Sequence, residues 1–355
     1  MNNTSSKIGL ADIKKDVGKN VSLAEKMQNN NFLTIKTAND WIEEAKLLPI
    51  PRMLFSEFWH ENEICILFAD SNAGKSILAM QIADSITKGI AVRGFKFGAK
   101  VQKVLYFDFE MSPKQLEARY SIEYKKHYIF SDNFFRASIN IDAYLPDGVK
   151  LEEYIKQSLE LLVVDLKVKI IIIDNITYLN QDNEKARDAL PLMKRLKELK
   201  AKHKLSILVL AHTPKRDLSR AITINDVQGS KMLVNFADSA FAIGKSTKGK
   251  LIRYIKQIKE RNTEQFYGAD NVITCKIFKE NNFLEFVFLD FDEEREHLRT
   301  LTDNELSQID AQIIDLSKEN PKMSNRQIAK HLDINHTKVN RVLKKYGTLE
   351  QMERV

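Results

Sequence analysis

Between residue 62 and about residue 236, short apolar runs alternate with amphipathic stretches. The runs have the length and composition of buried strands, and the stretches between them repeat with the period of a helix. The predicted strands are Glu63–Ala69, Lys103–Phe109, Lys169–Asp174 and Leu205–His212, and the predicted helices are Lys75–Thr87, Pro113–Lys126, Leu151–Leu166 and Asn183–His203. This alternation predicts an α/β fold with a mainly parallel sheet and helices on both of its faces.

After residue 236 the pattern changes, because four apolar runs follow one another without helices between them. These runs are Ser239–Ile243, Leu251–Ile258, Asn271–Phe278 and Phe283–Phe291. They predict antiparallel strands that extend one edge of the sheet. An acidic stretch at 290–296 then precedes a helical remainder, and the first 45 or so residues are polar with weak helical patterns. We therefore expect an N-terminal arm (1–48), a core (49–295) and a small all-α unit (300–350).

The composition is that of an ordinary globular protein, with 43% hydrophobic residues. No run approaches the roughly 18 apolar residues of a membrane span, and the N-terminus lacks the apolar segment of a secretory signal. Cys65 and Cys275 lie inside apolar runs, so we expect reduced cysteines in the core. These features predict a cytoplasmic protein with no membrane partner.

The segment from Ala69 to Ser76 reads ADSNAGKS and stands between a predicted strand and a predicted helix. That is the context of the G-x-x-x-x-G-K-[ST] phosphate loop, in which N–H groups at the helix start hold the phosphates of ATP. Lys75 would reach the β- and γ-phosphates, and the Ser76 hydroxyl would bind Mg²⁺. The expected nucleotide contacts are Ser71, Asn72, Ala73, Gly74, Lys75, Ser76 and Ile77.

Alanine replaces the first glycine of this pattern, at position 69. The replacement is tolerable if the φ angle of Ala69 remains negative. A chance G-K-S at a helix start is the alternative interpretation of the segment. The run Ile170–Ile173 ends in Asp174, which is expected to hold Mg²⁺ because ligands bind at the carboxyl edge of parallel sheets. A core strand that ends in aspartate by chance is the alternative there.

Residues 104–119, with Glu110-Met111-Ser112 and Gln115-Leu116, resemble the corresponding motif of DnaB-type replicative helicases and their RepA-type plasmid relatives. The resemblance implies a RecA-like P-loop NTPase core over roughly residues 50 to 290. It also implies that Glu110 orients and polarises the water that attacks the γ-phosphate, a task for which a carboxylate is suited. A role of Glu110 in capping the next helix is the alternative.

The same resemblance concerns two further segments. The predicted strand before residue 213 ends in His212, where the family usually has a glutamine that senses the γ-phosphate; a structural histidine is the alternative. Residues 258–262, IKERN, resemble the K-x-R-N element whose lysine and arginine reach the ATP site of a neighbouring subunit. Lys259 and Arg261 would then act in trans, in a homo-oligomer that is hexameric by family precedent. A basic surface turn is the alternative.

Residues 324–344 have the pattern of a helix-turn-helix. Ser324 and Gln327 predict a capping box, and the expected buried set is Ile328, Leu332, Ile334, Val339 and Val342, with the small Ala329 where two helices cross. Asp333 stands where glycine is usual in such turns. The outer face of the second helix would offer duplex DNA five side chains: Thr337, Lys338, Asn340, Arg341 and Lys344.

The charge of the C-terminal segment agrees with a nucleic-acid partner. Residues 318–345 contain eight lysines and arginines but only two acidic residues. This excess of positive charge is typical of segments that bind a phosphate backbone. A small helical protein-interaction unit is the alternative. By family analogy, loops near 179–189 and 213–230 would face single-stranded DNA at the centre of a ring.

The leading hypothesis from sequence is an ATP-driven DNA motor similar to RepA or DnaB ring helicases. Two alternatives remain open. One is a repair or recombination ATPase that does not unwind duplex DNA, and the other is a regulator in which ATP switches a DNA-binding helix-turn-helix.

Overall fold

The computed structural model describes residues 34–140, 148–149, 151–176, 186–214, 216–227, 231–262, 264–300, 303–321 and 323–352. The chain divides into two compact units at Ile50. In the first unit the described residues form one helix, α1 (Ala38–Lys46), which agrees with the helical pattern around Trp41. A capping box between Thr37 and Asp40 closes its N-terminus, and none of its residues is buried. Residues 1–33 of the predicted arm lie outside the described part.

The described residues of the second unit form thirteen strands. They are β1 (Met53–Phe55), β2 (Trp59–His60), β3 (Ile64–Ala69), β4 (Val104–Asp108), β5 (Ser121–Ile122), β6 (Lys126–His127), β7 (Phe134–Ala137), β8 (Ile170–Asp174), β9 (Ser206–His212), β10 (Ser239–Lys245), β11 (Ile252–Lys259), β12 (Val272–Glu280) and β13 (Phe283–Asp292). Nine of them make one sheet in the order β13-β12-β11-β10-β3-β9-β8-β4-β7.

This sheet confirms the predicted topology. Pairing is parallel from β10 through β3, β9, β8 and β4 to β7, and antiparallel from β10 out to β13. Strands β3, β4 and β8 are buried along their whole length, as expected of parallel strands covered on both faces. The sequence analysis missed the edge strand β7 and the short pairs β1–β2 and β5–β6.

Helices cover both faces of the sheet. They are α2 (Lys75–Lys88), α3 (Pro113–Arg119), α4 (Leu151–Leu166), α5 (Ala186–His203) and α6 (Lys231–Phe236), and short 3₁₀ helices occur at Ile224–Asp226 and Glu294–His297. One apolar cluster joins α4, α5 and α6 to the sheet, and a second joins α2 to its other face. Cys65 and Cys275 are buried and free within the second cluster, which confirms the prediction.

The predicted helix Pro113–Lys126 is wrong beyond Arg119. The chain instead turns through Glu123 and Tyr124, both in left-handed conformation (φ 50° and 56°), so that β5 and β6 pair as a hairpin. The ring of Tyr120 packs 5.1 Å from that of Phe283 on β13. Contact with a strand so distant in sequence overrides the local helical pattern.

The side chain of Gln81 on α2 ties the outermost strand to the phosphate-loop helix. Its amide nitrogen donates to the Phe286 carbonyl at 3.1 Å, and its amide oxygen accepts from the Phe286 N–H at 2.9 Å. The side chain thus satisfies edge backbone groups of β13 that would otherwise be free to pair with another chain.

Three helices, α7 (Asp303–Glu319), α8 (Asn325–His331) and α9 (His336–Met352), form the C-terminal unit. They enclose a core of Ile313, Ile328, Ala329, Val339 and Val342, with Leu332 and Ile334 partly buried against it. The capping box of Ser324 and Gln327 is present, and Asn335 accepts from the Thr337 N–H at 2.8 Å.

Asp333 adopts φ 51° in the turn between α8 and α9, a conformation that aspartate tolerates better than most residues. The guanidinium of Arg220, in the loop after β9, binds both the backbone carbonyl and the carboxylate of Asp333. Within the described residues, no helix is long and apolar enough to cross a membrane.

Candidate nucleotide site

The phosphate loop leaves β3 at Ala69, whose φ is not positive, so alanine fits where the pattern usually has glycine. Gly74 precedes α2 with φ 107°. A Cβ atom built on Gly74 would lie 2.8 Å from the Phe286 ring and 2.9 Å from Ile277. Both the backbone conformation and the contact with β12 and β13 therefore require glycine at this position.

A cavity of about 460 Å³ opens at this loop. It is lined by Ser71, Asn72, Gly74, Lys75, Ser76, Ile77, Glu110, Arg119, His212 and Ile277. Six of the seven predicted nucleotide contacts are among them. The seventh, Ala73, is fully buried.

Arg253 on β11 binds the backbone of the phosphate loop. Its Nε donates to the Ala73 carbonyl at 3.0 Å and its Nη2 to the Asn72 carbonyl at 3.5 Å. Asn72 itself has φ 59°, so the guanidinium holds a loop that includes a left-handed residue. The sequence analysis missed Arg253, because within a strand pattern nothing distinguishes it from a surface arginine.

Lys75 is the first residue of α2 and is 7% exposed. Its Nζ donates to the carbonyls of Ala69 and Asp70 at 3.1 and 3.5 Å, and lies 3.1 Å from His212 Nδ1. Burial lowers the pKa of Lys75, and the carboxylate of Asp174 is first among the charges that oppose this shift. Lys75 also lines the cavity in which the phosphates would lie.

Asp174, at the end of β8, is 2% exposed. The Tyr106 hydroxyl donates to its Oδ2 at 2.7 Å. Burial raises the pKa of Asp174 to about 6, although hydrogen bonds from Ser76 and Tyr106 lower it. A carboxylate beside a serine hydroxyl supplies the oxygen ligands that Mg²⁺ prefers, so these two residues fit the predicted metal site.

Glu110 follows β4 in a turn that Asp108 organises. Asp108 accepts from the N–H groups of Glu110 and Met111 at 3.1 and 2.9 Å, and from Arg136 Nε at 2.9 Å. The carboxyl group of Glu110 is half-exposed and lines the cavity. Its pKa is held below the ordinary value, first by hydrogen bonding with His212, so the group is a carboxylate at neutral pH.

His212, at the end of β9, stands between the phosphate loop and Glu110. Its Nδ1 is 3.1 Å from Lys75 Nζ, and its Nε2 is 3.5 Å from Glu110 Oε1. Asn175, directly after β8, lies 2.9 Å from the same Nε2 and also donates to Glu110. The sequence analysis did not single out Asn175, since only the folded sheet brings it between the two side chains.

Lys259 and Arg261 do not line the cavity. Lys259 ends β11 opposite Ala240 at the start of β10, and hence at the edge of the sheet away from the phosphate loop. Its Nζ donates to the carbonyls at the end of α6, of Val234, Asn235 and Ala237, at 2.7 to 3.0 Å. Arg261 binds Asp238 at 3.2 Å.

Of the residues predicted to face DNA, Thr337, Asn340, Arg341 and Lys344 are exposed. Lys338 is turned toward α7, where its ammonium lies 3.5 Å from Asp310, because the opposite charges attract it inward. The loops predicted to face single-stranded DNA are described only in part. Residues 177–185, 215 and 228–230 lie outside the described residues.

The region that carries the cavity matches a known protein family. A family model described as AAA domain covers residues 32–217, which is more than half of the 355 residues. The chain belongs to this family. Membership in this AAA-type P-loop ATPase family confirms the prediction of an ATPase at that level. A search of curated proteins found no match.

The AAA domain match ends at Asp217, before β10 begins. Strand β10 pairs with β3, and Phe286 of β13 contacts the position of Gly74. The AAA domain of this chain is therefore completed by strands that the family model does not cover.

Proposed function

We propose that this AAA-domain protein is an ATP-hydrolysing DNA motor, similar to RepA-type ring helicases that serve the replication of a plasmid or other mobile element. The observation that carries the proposal is the row of contacts from Lys75 through His212 and the buried Asn175 to Glu110, in which Lys75, His212 and Glu110 line the phosphate-loop cavity. A protein that only bound ATP would have no need of a carboxylate placed so close to the phosphate loop.

The cavity residues have complementary tasks in hydrolysis. Ser76 and Asp174 would hold Mg²⁺, which supplies positive charge to neutralise the phosphates. Lys75 binds the terminal phosphates through its ammonium. Glu110 is ionised and accepts a hydrogen bond from the attacking water, which it orients. His212 lies within reach of both Lys75 and Glu110 and senses the γ-phosphate.

The DNA part of the proposal is supported by the C-terminal unit. Its exposed side chains on α9, among them Thr337 and Arg341, lie on the helix that enters the major groove in helix-turn-helix proteins. The surrounding segment carries the basic balance noted above, which attracts a phosphate backbone. The proposal also includes single-stranded DNA as the substrate and a hexameric ring. In that ring, Lys259 and Arg261 act in trans at the ATP site of a neighbouring subunit.

The test is ATP hydrolysis with and without single-stranded DNA, together with the particle size with and without nucleotide. We expect DNA to stimulate hydrolysis several-fold in a nucleotide-dependent oligomer. Lys75→Ala and Glu110→Gln should abolish hydrolysis, and Glu110→Gln should retain ATP binding. An ATP hydrolysis rate that is the same with and without DNA would overturn the proposed motor function.

One observation favours a second candidate, an ATP-switched regulator of transcription or replication initiation. Arg220 lies in the loop that follows His212, and it binds Asp333 in the turn of the C-terminal unit. That contact offers a route from the nucleotide site to the DNA-binding surface. ATP-dependent affinity for one duplex sequence, with slow turnover and no strand separation, would identify the regulator.

A further inference from the structure

We propose that Asn175 is a positioning residue for ATP hydrolysis, which holds the carboxylate of Glu110 at the cavity and sets its distance from His212. This inference rests on the proposed role of Glu110. It adds to that role a residue that has no direct contact with the cavity, because Asn175 is not among the lining residues.

The position of Asn175 follows from the order of the strands. Strand β8 lies between β4 and β9 in the sheet, and these three strands end in the segments that carry Asn175, Glu110 and His212. Asn175 is therefore the central group of three at one edge of the sheet. It is 2% exposed, whereas the carboxyl group of Glu110 is half-exposed, so the amide is the fixed partner.

The chemistry of the groups determines which way the amide points. A carboxylate can only accept hydrogen bonds, so the NH₂ group of Asn175 must face Glu110. This assignment holds for either tautomer of His212. If the Lys75 ammonium donates to Nδ1, the ring proton is on Nε2 and faces Glu110 Oε1 at 3.5 Å. The 2.9 Å between Nε2 and the Asn175 amide nitrogen is then a contact between two donors, both directed to Glu110, and not a hydrogen bond. The Glu110 carboxylate then accepts from both Asn175 and the imidazole.

This hydrogen bond matters because a free glutamate has three side-chain torsions. An unheld Glu110 would sample many rotamers, and ordering it during the reaction would slow hydrolysis through lost entropy. The buried amide removes that freedom before nucleotide arrives. Asn175 also contributes, after His212, to holding the pKa of Glu110 low.

The experiment compares five proteins: the wild type, Asn175→Asp, Glu110→Gln, the double variant, and Asn271→Asp. Asn271 is exposed, lies outside the cavity and donates to the Phe266 carbonyl at 2.9 Å, so it controls for an added acid. Each protein is measured for kcat and KM of ATP hydrolysis, for affinity toward a fluorescent ATP analogue, and for thermal unfolding.

Asn175→Asp keeps the shape of the side chain but places a second carboxylate against Glu110. We expect kcat to fall about 10- to 100-fold, with analogue affinity within about threefold of wild type and a lower unfolding temperature. The double variant restores a donor and an acceptor with their places exchanged. It should recover the unfolding temperature, a non-additive result which shows that the loss in Asn175→Asp comes from its contact with residue 110. Positioning is separated from folding by the single variant, in which kcat falls while analogue affinity is kept.

The inference is overturned if Asn175→Asp leaves kcat within about twofold of wild type while Glu110→Gln abolishes hydrolysis. It is also overturned if Asn175→Asp lowers analogue affinity as much as kcat, since Asn175 would then serve only the fold of the site. A double variant that does not recover the unfolding temperature would show that the amide does not act through Glu110. A wild-type protein that binds the analogue but hydrolyses no ATP would instead remove the proposed function on which the inference rests.

Discussion

The nucleotide cavity and the C-terminal helical unit place their charged residues in opposite ways. At the cavity, Lys75, Asp174 and Asp108 are each at most 7% exposed and are bound to partners on other elements. In the helical unit, Arg341 and Lys344 stand on the exposed side of α9, and those residues whose burial the structure describes there are apolar wherever they are fully buried. Burial fixes these three charges at the cavity, whereas Arg341 and Lys344 are exposed to solvent.

This difference determines how each region responds to mutation. Buried groups that share hydrogen bonds act as a unit, so their substitutions are non-additive and each has a large effect. Exposed cations act on a phosphate backbone nearly independently, so each contributes a small and additive part. The following predictions are arranged from the largest expected effect to the smallest.

Gly74→Ala should have the largest effect, because the new methyl group meets Phe286 and Ile277 at 2.8 and 2.9 Å while φ is 107°. We expect a loss of about 2–5 kcal/mol in the free energy of unfolding and no measurable ATP binding. Gly148→Ala is the matched control, since Gly148 also has positive φ (76°) but no atom lies within 4 Å of its added Cβ. Denaturant unfolding measures the free energy of unfolding of both variants. Equal losses in that free energy would refute the importance of the contact with β12 and β13.

Asp174→Asn should abolish hydrolysis but stabilise the nucleotide-free protein. Burial raises the folded-state pKa of Asp174 to about 6, above its ordinary value, so its ionisation opposes folding at neutral pH. The variant should gain on the order of 2–3 kcal/mol at pH 8. This gain should shrink as the pH falls through 6 and vanish near pH 4, where both forms are neutral.

The control for this prediction is Asp108→Asn. Asp108 is as buried as Asp174 but is paired with Arg136, so removal of its charge should destabilise the fold. Thermal unfolding across pH 4 to 8 compares the two. Destabilisation by both variants at pH 8 would contradict the burial argument for Asp174.

Arg253→Ala should weaken ATP binding about tenfold, because the carbonyls of Asn72 and Ala73 lose charged hydrogen bonds that hold the loop. Arg253→Lys keeps the charge without the planar fork and should recover only part of the affinity. Titration with a fluorescent ATP analogue measures both. Arg295→Ala removes an exposed arginine and should change nothing.

Arg341→Ala and Lys338→Ala should give the smallest effects, and they form a matched pair because each removes one positive charge. Arg341 is exposed, so its loss should weaken the binding of duplex DNA several-fold. It should also reduce the salt dependence of that binding by about one ion. Lys338 faces Asp310 and should contribute less. Salt titrations of DNA affinity test the order, and a larger effect at Lys338 would reverse the placement of the DNA-binding face.

The parts of the fold that could be predicted are those encoded locally. The ADSNAGKS loop and the buried strands that end at Asp174 and His212 each carry their own pattern of apolar and polar residues. The roles of Arg253 and Asn175 could not be predicted, because they depend on contacts 181 and 65 residues away. The hairpin of β5 and β6 was missed for the same reason, since packing of Tyr120 on Phe283 decides it.

The contact between Gln81 and Phe286 spans 205 residues of sequence. A ribosome adds about 5–20 residues per second, so on the order of 10–40 s separates the synthesis of the two partners. During that interval the phosphate loop has been made, but Ile277 and Phe286, against which Gly74 packs, have not. The nucleotide site is completed only when the last strand of the sheet has left the ribosome.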